Sequence, residues 1–448
     1  MIRAAISIFQ VSILVLCFGA SASGQEASTP RLPVISKSIS VADAVSIALE
    51  NNPRVLGGAA EAKAAAARAR MARAETRPQV STTTFATTGT MPNIVSGSPN
   101  VEPNAATLVP DDGQLDQNLM LMYPLYTGGR LRSQVRAAGA QHNAARSDAV
   151  TTRLDAALEA KTAYKRVLLA RRYVEAYQRR VDESTERVRI AQAAFDEGKI
   201  AKFDLLRNQT ELAEARQLLV NAQRDVDVAM VDLKSTIGIS QTSQLTLTDQ
   251  LTFAQAETSP EEAQARALAQ RPEVKAVRSR LKAAESAVDG AKSAYRPQVY
   301  AVAMQDFVRQ SGGGSDQGYT VGVTAALPIY DAGWRKSAVD EAKAMVDRVR
   351  AEEREVGLMV SRDVGTAWVE AQAAAKNVNL ARTAVDQADE DYRVIKLRYE
   401  AGKSINVEVL DALASLTRAQ TNYAQAVYEH SVAQDRLERA VGAIQERS

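Results

Sequence analysis

The chain has 448 residues, enough for two or three ordinary domains, yet only 5% are aromatic and alanine dominates its apolar content. Long Ala/Glu/Arg/Gln-rich runs with few turn residues point to extended helices rather than compact globules. With 55 basic against 53 acidic residues the net charge is +2, which offers no basic stripe to a nucleic-acid backbone and argues against a nucleic-acid partner.

From the N-terminus, residues 1–24 read as a secretory signal peptide: Arg3, an apolar run from Ile6 to about Gly19, then Ala20-Ser21-Ala22 or Ala22-Ser23-Gly24 for cleavage. The run is short for a membrane-spanning helix. Cys17 is the only cysteine, and Leu16 before it is a poor residue for a lipoprotein cleavage site, so the mature chain is expected to carry no disulfide and no lipid anchor. Beyond the leader no run of 18 apolar residues occurs, which leaves a β-barrel as the one route into a membrane.

The remainder is written twice. Pro53 corresponds to Pro272, and Arg77-Pro78-Gln79-Val80 to Arg296-Pro297-Gln298-Val299, both at a spacing of 219. "YPLYTGGRLRSQV" from Tyr123 corresponds to "LPIYDAGWRKSAV" from Leu327, and "FDEGKIAKFDLL" from Phe195 to "YEAGKSINVEVL" from Tyr399, both at 204. The difference falls in a Pro/Asn/Gly/Ser-rich stretch between Thr90 and Gln114, an insertion that marks an exposed loop. A first repeat is therefore placed at 25–240, an equatorial linker at 241–260 and a second repeat at 261–448.

In the first repeat the pattern predicts helices over about 41–76, 131–196 and 203–237, with strands over about 77–88 and 115–126. In the second it predicts helices over about 261–295, 334–400 and 406–442, with strands over about 296–310 and 318–330. Tyr319, Val321, Val323 and Ala325 alternate with polar or small neighbours, as in a strand with one apolar face. The central helices of about 65 residues would be nearly 100 Å long, more than any globular core requires. Each then turns at a glycine, Gly198 or Gly402, suited to a helix C-terminus by its freedom to take positive φ. The return helices carry seven-residue repeats: Leu205, Leu212, Leu219, Val226 and Leu233 in one, and Ala412, Ala419, Ala426, Ala433 and Ala440 in the other. Such repeats make helices supercoil, and alanine lets their axes approach closely.

Sites for chemistry are scarce. Gly402-Lys403-Ser404 imitates the end of a phosphate-binding loop, but the first glycine of that loop is missing and the preceding residues are helical. His142 and His430 both lie in helical runs, with no Cys/His cluster or paired metal-ligand spacing, and no catalytic constellation or cofactor site is expected. Trp334 and Trp368 read as an interface anchor and a packing residue.

In order and spacing these elements resemble the TolC-like outer-membrane efflux proteins, from about Val41 to Gly442. The most specific match is "YEAGKSINVEVLDA" from Tyr399, which is similar to the family's pore-side hairpin turn, and "FDEGKIAKFDLL" resembles its partner turn. The resemblance implies a fold that is mainly α with membrane β. Two long coiled-coil hairpins and four strands per chain would assemble as a homotrimer with a twelve-stranded barrel in outer-membrane lipid and a twelve-helix tunnel through the periplasm. It implies a passive exit duct of a tripartite efflux pump or type I secretion system, opened by an inner-membrane transporter and a periplasmic adaptor. It also implies aperture acids at Glu408 and Asp411, a tip latch involving Asp204 and Tyr399, and adaptor contacts at Gly198, Lys199, Gly402 and Lys403. Ser404 stands where the family often has a latch arginine, which puts that latch in question. Asp204 and Arg207 stand where the second hairpin has its two acids, which makes the second hairpin the expected pore lining. The rival readings are a periplasmic coiled-coil adaptor and a structural protein without a channel.

Overall fold

The computed structural model describes residues 32–87, 114–253, 259–310 and 315–442. The signal-peptide reading of residues 1–24 and the exposed-loop reading of the insertion before Gln114 fall outside them. In chain order, β1 (Ser36–Ile39), α1 (Val41–Asn51) and α2 (Pro53–Ala74) precede β2 (Gln79–Thr87), β3 (Gln114–Tyr126), α3 (Arg130–Asp196) and α4 (Lys202–Thr236). The second half holds β4 (Gln244–Leu247), α5 (Pro260–Gln270), α6 (Pro272–Ser293), β5 (Gln298–Gln310), β6 (Ser315–Ala326), α7 (Trp334–Glu400) and α8 (Asn406–Val441).

The helices expected over 41–76 and 261–295 are each two helices. Proline disfavours helical backbone in the residue before it, and Asn52 and Arg271 accordingly have ψ of 124° and 131°. Pro53 and Pro272 then open the next helix, where a missing N–H costs nothing. The Asn52 side chain caps the new start by accepting from the Arg54 N–H at 2.9 Å. The segment read as a linker, 241–260, also contains β4, paired in parallel with β1 from Ser36↔Gln244 to Ile39↔Leu247. Strands of four residues are too short for a periodic signal. β6 begins at Ser315 and ends at Ala326 instead of about 330, because its pairing with β5 ends at Gln298↔Ala326.

α3 and α7 have 67 residues each, roughly 100 Å at 1.5 Å per residue. Each runs beside two shorter helices placed end to end. The 35-residue α4 ends at Gly238, which has φ 75° and sits so close to α2's start that a Cβ would lie 2.6 Å from the Asn51 carbonyl oxygen. The 36-residue α8 likewise ends at Gly442, φ 80°, against Arg271 at the start of α6. The repeats at seven-residue spacing lie on the packed face: Leu205, Leu212 and Leu233 in α4, and Ala412, Ala426, Ala433 and Ala440 in α8, are buried, while Leu219, Val226 and Ala419 are half-buried.

α2 and α4 pack on α3, α3 packs on α6 and α8, and those two pack on α7. This is one curved layer whose outer flanks are α2 with α4 on one side and α7 on the other. The sheet repeats the plan, antiparallel in the order β2-β3-β5-β6 with edges at β2 and β6. Its strands of 9 to 13 residues have the length that a tilted strand needs to cross a bilayer. Tyr319, Val321 and Val323 on β6 are exposed at 85%, 76% and 65%. No helix among the described residues is long and apolar enough to cross a membrane.

Candidate functional site: hairpin tips and the seam between hairpins

Both tips close by the same backbone device. The Gly198 N–H donates to the Phe195 carbonyl at 2.9 Å and the Lys199 N–H to Ala194 at 2.8 Å. Gly402 donates to Tyr399 at 2.9 Å and Lys403 to Arg398 at 2.8 Å. This pair of bonds satisfies the last helical carbonyls and requires left-handed backbone, which Gly198 and Gly402 supply with φ of 71° and 70°. The tips carry Lys199 and Lys403, both exposed.

Beyond the second turn, Glu408 and Asp411 lie on an exposed face of α8, while Val409, Leu410, Ala412 and Leu413 between and beside them are buried. Spacing of three residues puts the two acids on one side of the helix. Ser404 donates its hydroxyl hydrogen bond to the Glu408 carboxylate, tying that acid to the turn. In the first hairpin the corresponding face carries Asp204 and Arg207, with Phe203 exposed at 67% and Leu206 at 49%.

Within one chain the expected latch residues are not joined to one another. Tyr399 packs into the apolar cluster of its own hairpin with Tyr392, Val409 and Leu413, and the Asp204 backbone carbonyl accepts from Asn208 at 2.8 Å. The polar clasp between hairpins lies two turns higher, where α3 meets α7. The Tyr392 hydroxyl donates to Glu183 at 2.7 Å and accepts from Arg187 at 3.0 Å, and Lys396 donates to Glu183 at 3.2 Å. Arg187 and Lys396 also sit over the Tyr392 ring, at 5.6 Å and 5.8 Å from its centre. Burial pushes Glu183 up, but the Tyr392 hydrogen bond and the Lys396 ammonium outweigh it and hold the carboxyl below the ordinary glutamate range. Burial, with the hydroxyl committed to Glu183, pushes Tyr392 up. The sequence held one signal of this clasp: Tyr392 lies seven residues before Tyr399, at the same position of the helical repeat.

Midway along the hairpins the seam of α3 with α8 is ionic. Asp435, 6% exposed, is paired with Lys161 at 3.3 Å and with Lys165. Arg439 donates to Asp155 at 2.7 Å and to Glu273 at 2.6 Å, and Arg271 bridges Glu273 and Asp363 at 3.0 and 3.2 Å. Burial raises Glu273, yet hydrogen bonds from Arg271 and Arg439 bring it down to about 2. His430, 1% exposed, packs against Phe253 with ring centres 4.7 Å apart; burial and the Lys165 charge hold it below its ordinary value. Trp368 packs against the core of the second half, and Trp334, at the head of α7, is 68% exposed. No group of acids, histidines and cysteines suited to a metal ion occurs among the described residues.

Two long hairpins hung from a four-stranded sheet, built twice along the chain, match the family model described as outer membrane efflux protein over residues 44–239 and 263–443. The chain belongs to the outer membrane efflux protein family. It is 25% identical to the outer membrane efflux protein BepC of Brucella suis over 331 residues, covering 72% of this chain and 71% of that one. It is 23% identical to the pyoverdine export outer membrane protein OpmQ of Pseudomonas putida, covering 89% and 84%. The solved CmeC outer membrane channel of Campylobacter jejuni superposes with a TM-score of 0.76 over 91% of this chain and 87% of that one, at 18% identity. As a member of this family the protein is an outer-membrane efflux component and not an enzyme, and its paired hairpins form the helical periplasmic part.

Proposed function

We propose that three copies close into one duct, a β-barrel in the outer membrane continued by a helical tunnel. The duct conducts its cargo passively once an inner-membrane transporter and a periplasmic adaptor open it, as in a tripartite efflux pump or type I secretion system. The observation that carries this reading is that both layers are open at matching edges. β2 and β6 lack outer partners in the same order in which α2 with α4 and α7 lack theirs. An unpaired strand edge in a membrane leaves backbone groups unsatisfied, and closing the sheet on further copies removes it. Four strands enclose no pore, whereas three sets of four do.

In this assembly the exposed face of α8 lines the narrow end, so that Glu408 and Asp411 form two carboxylate rings favouring cations. Ser404 holds the Glu408 ring to the turn. The tips around Gly198, Lys199, Gly402 and Lys403 receive the adaptor. Closure of each chain's hairpins rests chiefly on the Glu183–Tyr392 clasp, with Asp204, Tyr399 and Ser404 shaping the aperture below it. The cargo is chosen by the transporter, since a passive conduit has no site of its own for it.

Planar-bilayer recordings test the reading. The purified protein is expected to insert as a cation-selective pore, and Glu408→Ala with Asp411→Ala to abolish the selectivity while insertion persists. Unchanged selectivity removes the ring assignment, and failure to form any pore removes the duct.

A further inference from the structure

We infer that α7 of one copy meets α2 and α4 of the next in the register of the chain's own α3 seam, with Asp340 paired to Arg70 of the partner copy. This rests on the trimer proposed above and specifies which residues close it.

The warrant is the internal repeat. α3 and α7 have equal lengths of 67 residues, as do α2 and α6 at 22, and α4 and α8 differ by one residue. Adding 204 carries a residue of α3 to its equivalent on α7; subtracting 219 carries α6 to α2, and subtracting 204 carries α8 to α4. Each contact that α3 makes with α6 or α8 inside the chain therefore has a counterpart between the uncovered flanks of two copies.

Four counterparts can be read off. Arg136 donates to Asp289 at 2.7 Å; their equivalents are Asp340 and Arg70, both exposed, so the ion pair persists with its charges exchanged. The buried pair Lys165–Asp435 becomes Val369 with Val231, which are exposed at 59% and 51% in the isolated chain. Ala176 and Ala424, which line one groove, become Leu380 with Val220, exposed at 71% and 62%. Tyr173 and Gln425, bonded at 2.9 Å, become Asn377 with Asn221, again two groups that can share a hydrogen bond.

These four transferred pairs are chemically matched without repeating the residues they replace, whereas the Arg280–Asp148 pair at 2.7 Å transfers to Glu61 with Glu352, two acids already paired inside their own chain with Arg68 and Arg280. The chemistry also changes sense: the seam inside a chain is ionic at this level, whereas the seam between copies is apolar. The strands follow suit. The pairing Tyr126↔Val299 transfers to Tyr330 with Val80, exposed at 87% and 64%, which supplies a partner for the stretch just beyond the end of β6.

The test is disulfide trapping in the full chain, whose only cysteine is Cys17, in the stretch read as a signal peptide. Val369→Cys with Val231→Cys is expected to give covalent dimers and trimers on oxidation. Val369→Cys with Val220→Cys, about 16 Å out of register along α4, is expected to give none. Equal trapping of both pairs overturns the register, as does an absence of trapping in a protein whose native mass is that of three chains. A native mass of one chain overturns the trimer and the register together. Independently, Arg70→Asp and Asp340→Arg are each expected to raise the fraction of trimer dissociated at a fixed SDS concentration severalfold, and their combination to restore it. A double variant no more stable than either single one refutes the pair.

Discussion

Tyr392→Phe removes one hydroxyl and nothing else from the clasp between hairpins. That hydroxyl donates to Glu183 at 2.7 Å and accepts from Arg187 at 3.0 Å. Hydrogen bonds to charged partners contribute about 1.5–3 kcal/mol each. The two bonds share one group, and the remaining Lys396–Glu183 contact at 3.2 Å can take up part of the loss. Glu183 and Lys396 are 37% and 43% exposed, so solvent screens their pairing. A net cost of about 2 kcal/mol per chain is reasonable, which corresponds to roughly thirtyfold in the equilibrium for separating the hairpins. If three clasps must release together the factors multiply. Single-channel recordings at low voltage read this as open probability. Tyr392→Phe is expected to raise it at least tenfold, and Tyr399→Phe, whose hydroxyl makes no hydrogen bond among the described residues, far less. An unchanged open probability in Tyr392→Phe, or an equal rise in Tyr399→Phe, refutes the placement of the clasp.

Glu273, depressed from 4.5 to about 2, supplies stability that is fully present above pH 4.5 and is lost as pH falls toward 2, on the order of 3 kcal/mol. Thermal melts against pH should show that acid slope, and Glu273→Gln should flatten it at the cost of lower stability at neutral pH. Gly238→Ala forces a side chain into left-handed backbone and to within 2.6 Å of the Asn51 oxygen, so chemical denaturation should show a loss of about 2–3 kcal/mol. Gly402→Ala has the same backbone constraint, with φ 70°, but open space around it, and should cost only about 1–2 kcal/mol.

Much of the architecture was legible because it is written in long-range repetition. The spacings of 219 and 204 revealed the two halves, and heptad positions such as Leu205, Leu212 and Leu233 identified the buried face of a return helix. Local features were harder. Pro53 and Pro272 were visible, but the pattern on either side of each is helical, so the break depends on the restriction that proline places on Asn52 and Arg271. β1 and β4 lie 208 residues apart at Ser36 and Gln244 and are four residues long, so only three-dimensional pairing reveals them. At the site, the turns followed from the glycines Gly198 and Gly402, and attention to Glu408 and Asp411 from the resemblance of the second turn. The clasp did not, because Glu183, Arg187, Tyr392 and Lys396 come together from two helices about 200 residues apart, each amid charged neighbours of ordinary appearance. The exchange of Arg136–Asp289 for Asp340–Arg70 was likewise invisible until one contact in the chain supplied the register for the other.

The central claim is that three open layers close into one duct, and the stoichiometry of the native particle tests it most directly. Protein extracted from outer membranes in mild detergent and weighed by native mass spectrometry is expected to give a particle of three chains. A monomer, or a protein recovered in the soluble periplasmic fraction, would contradict the account.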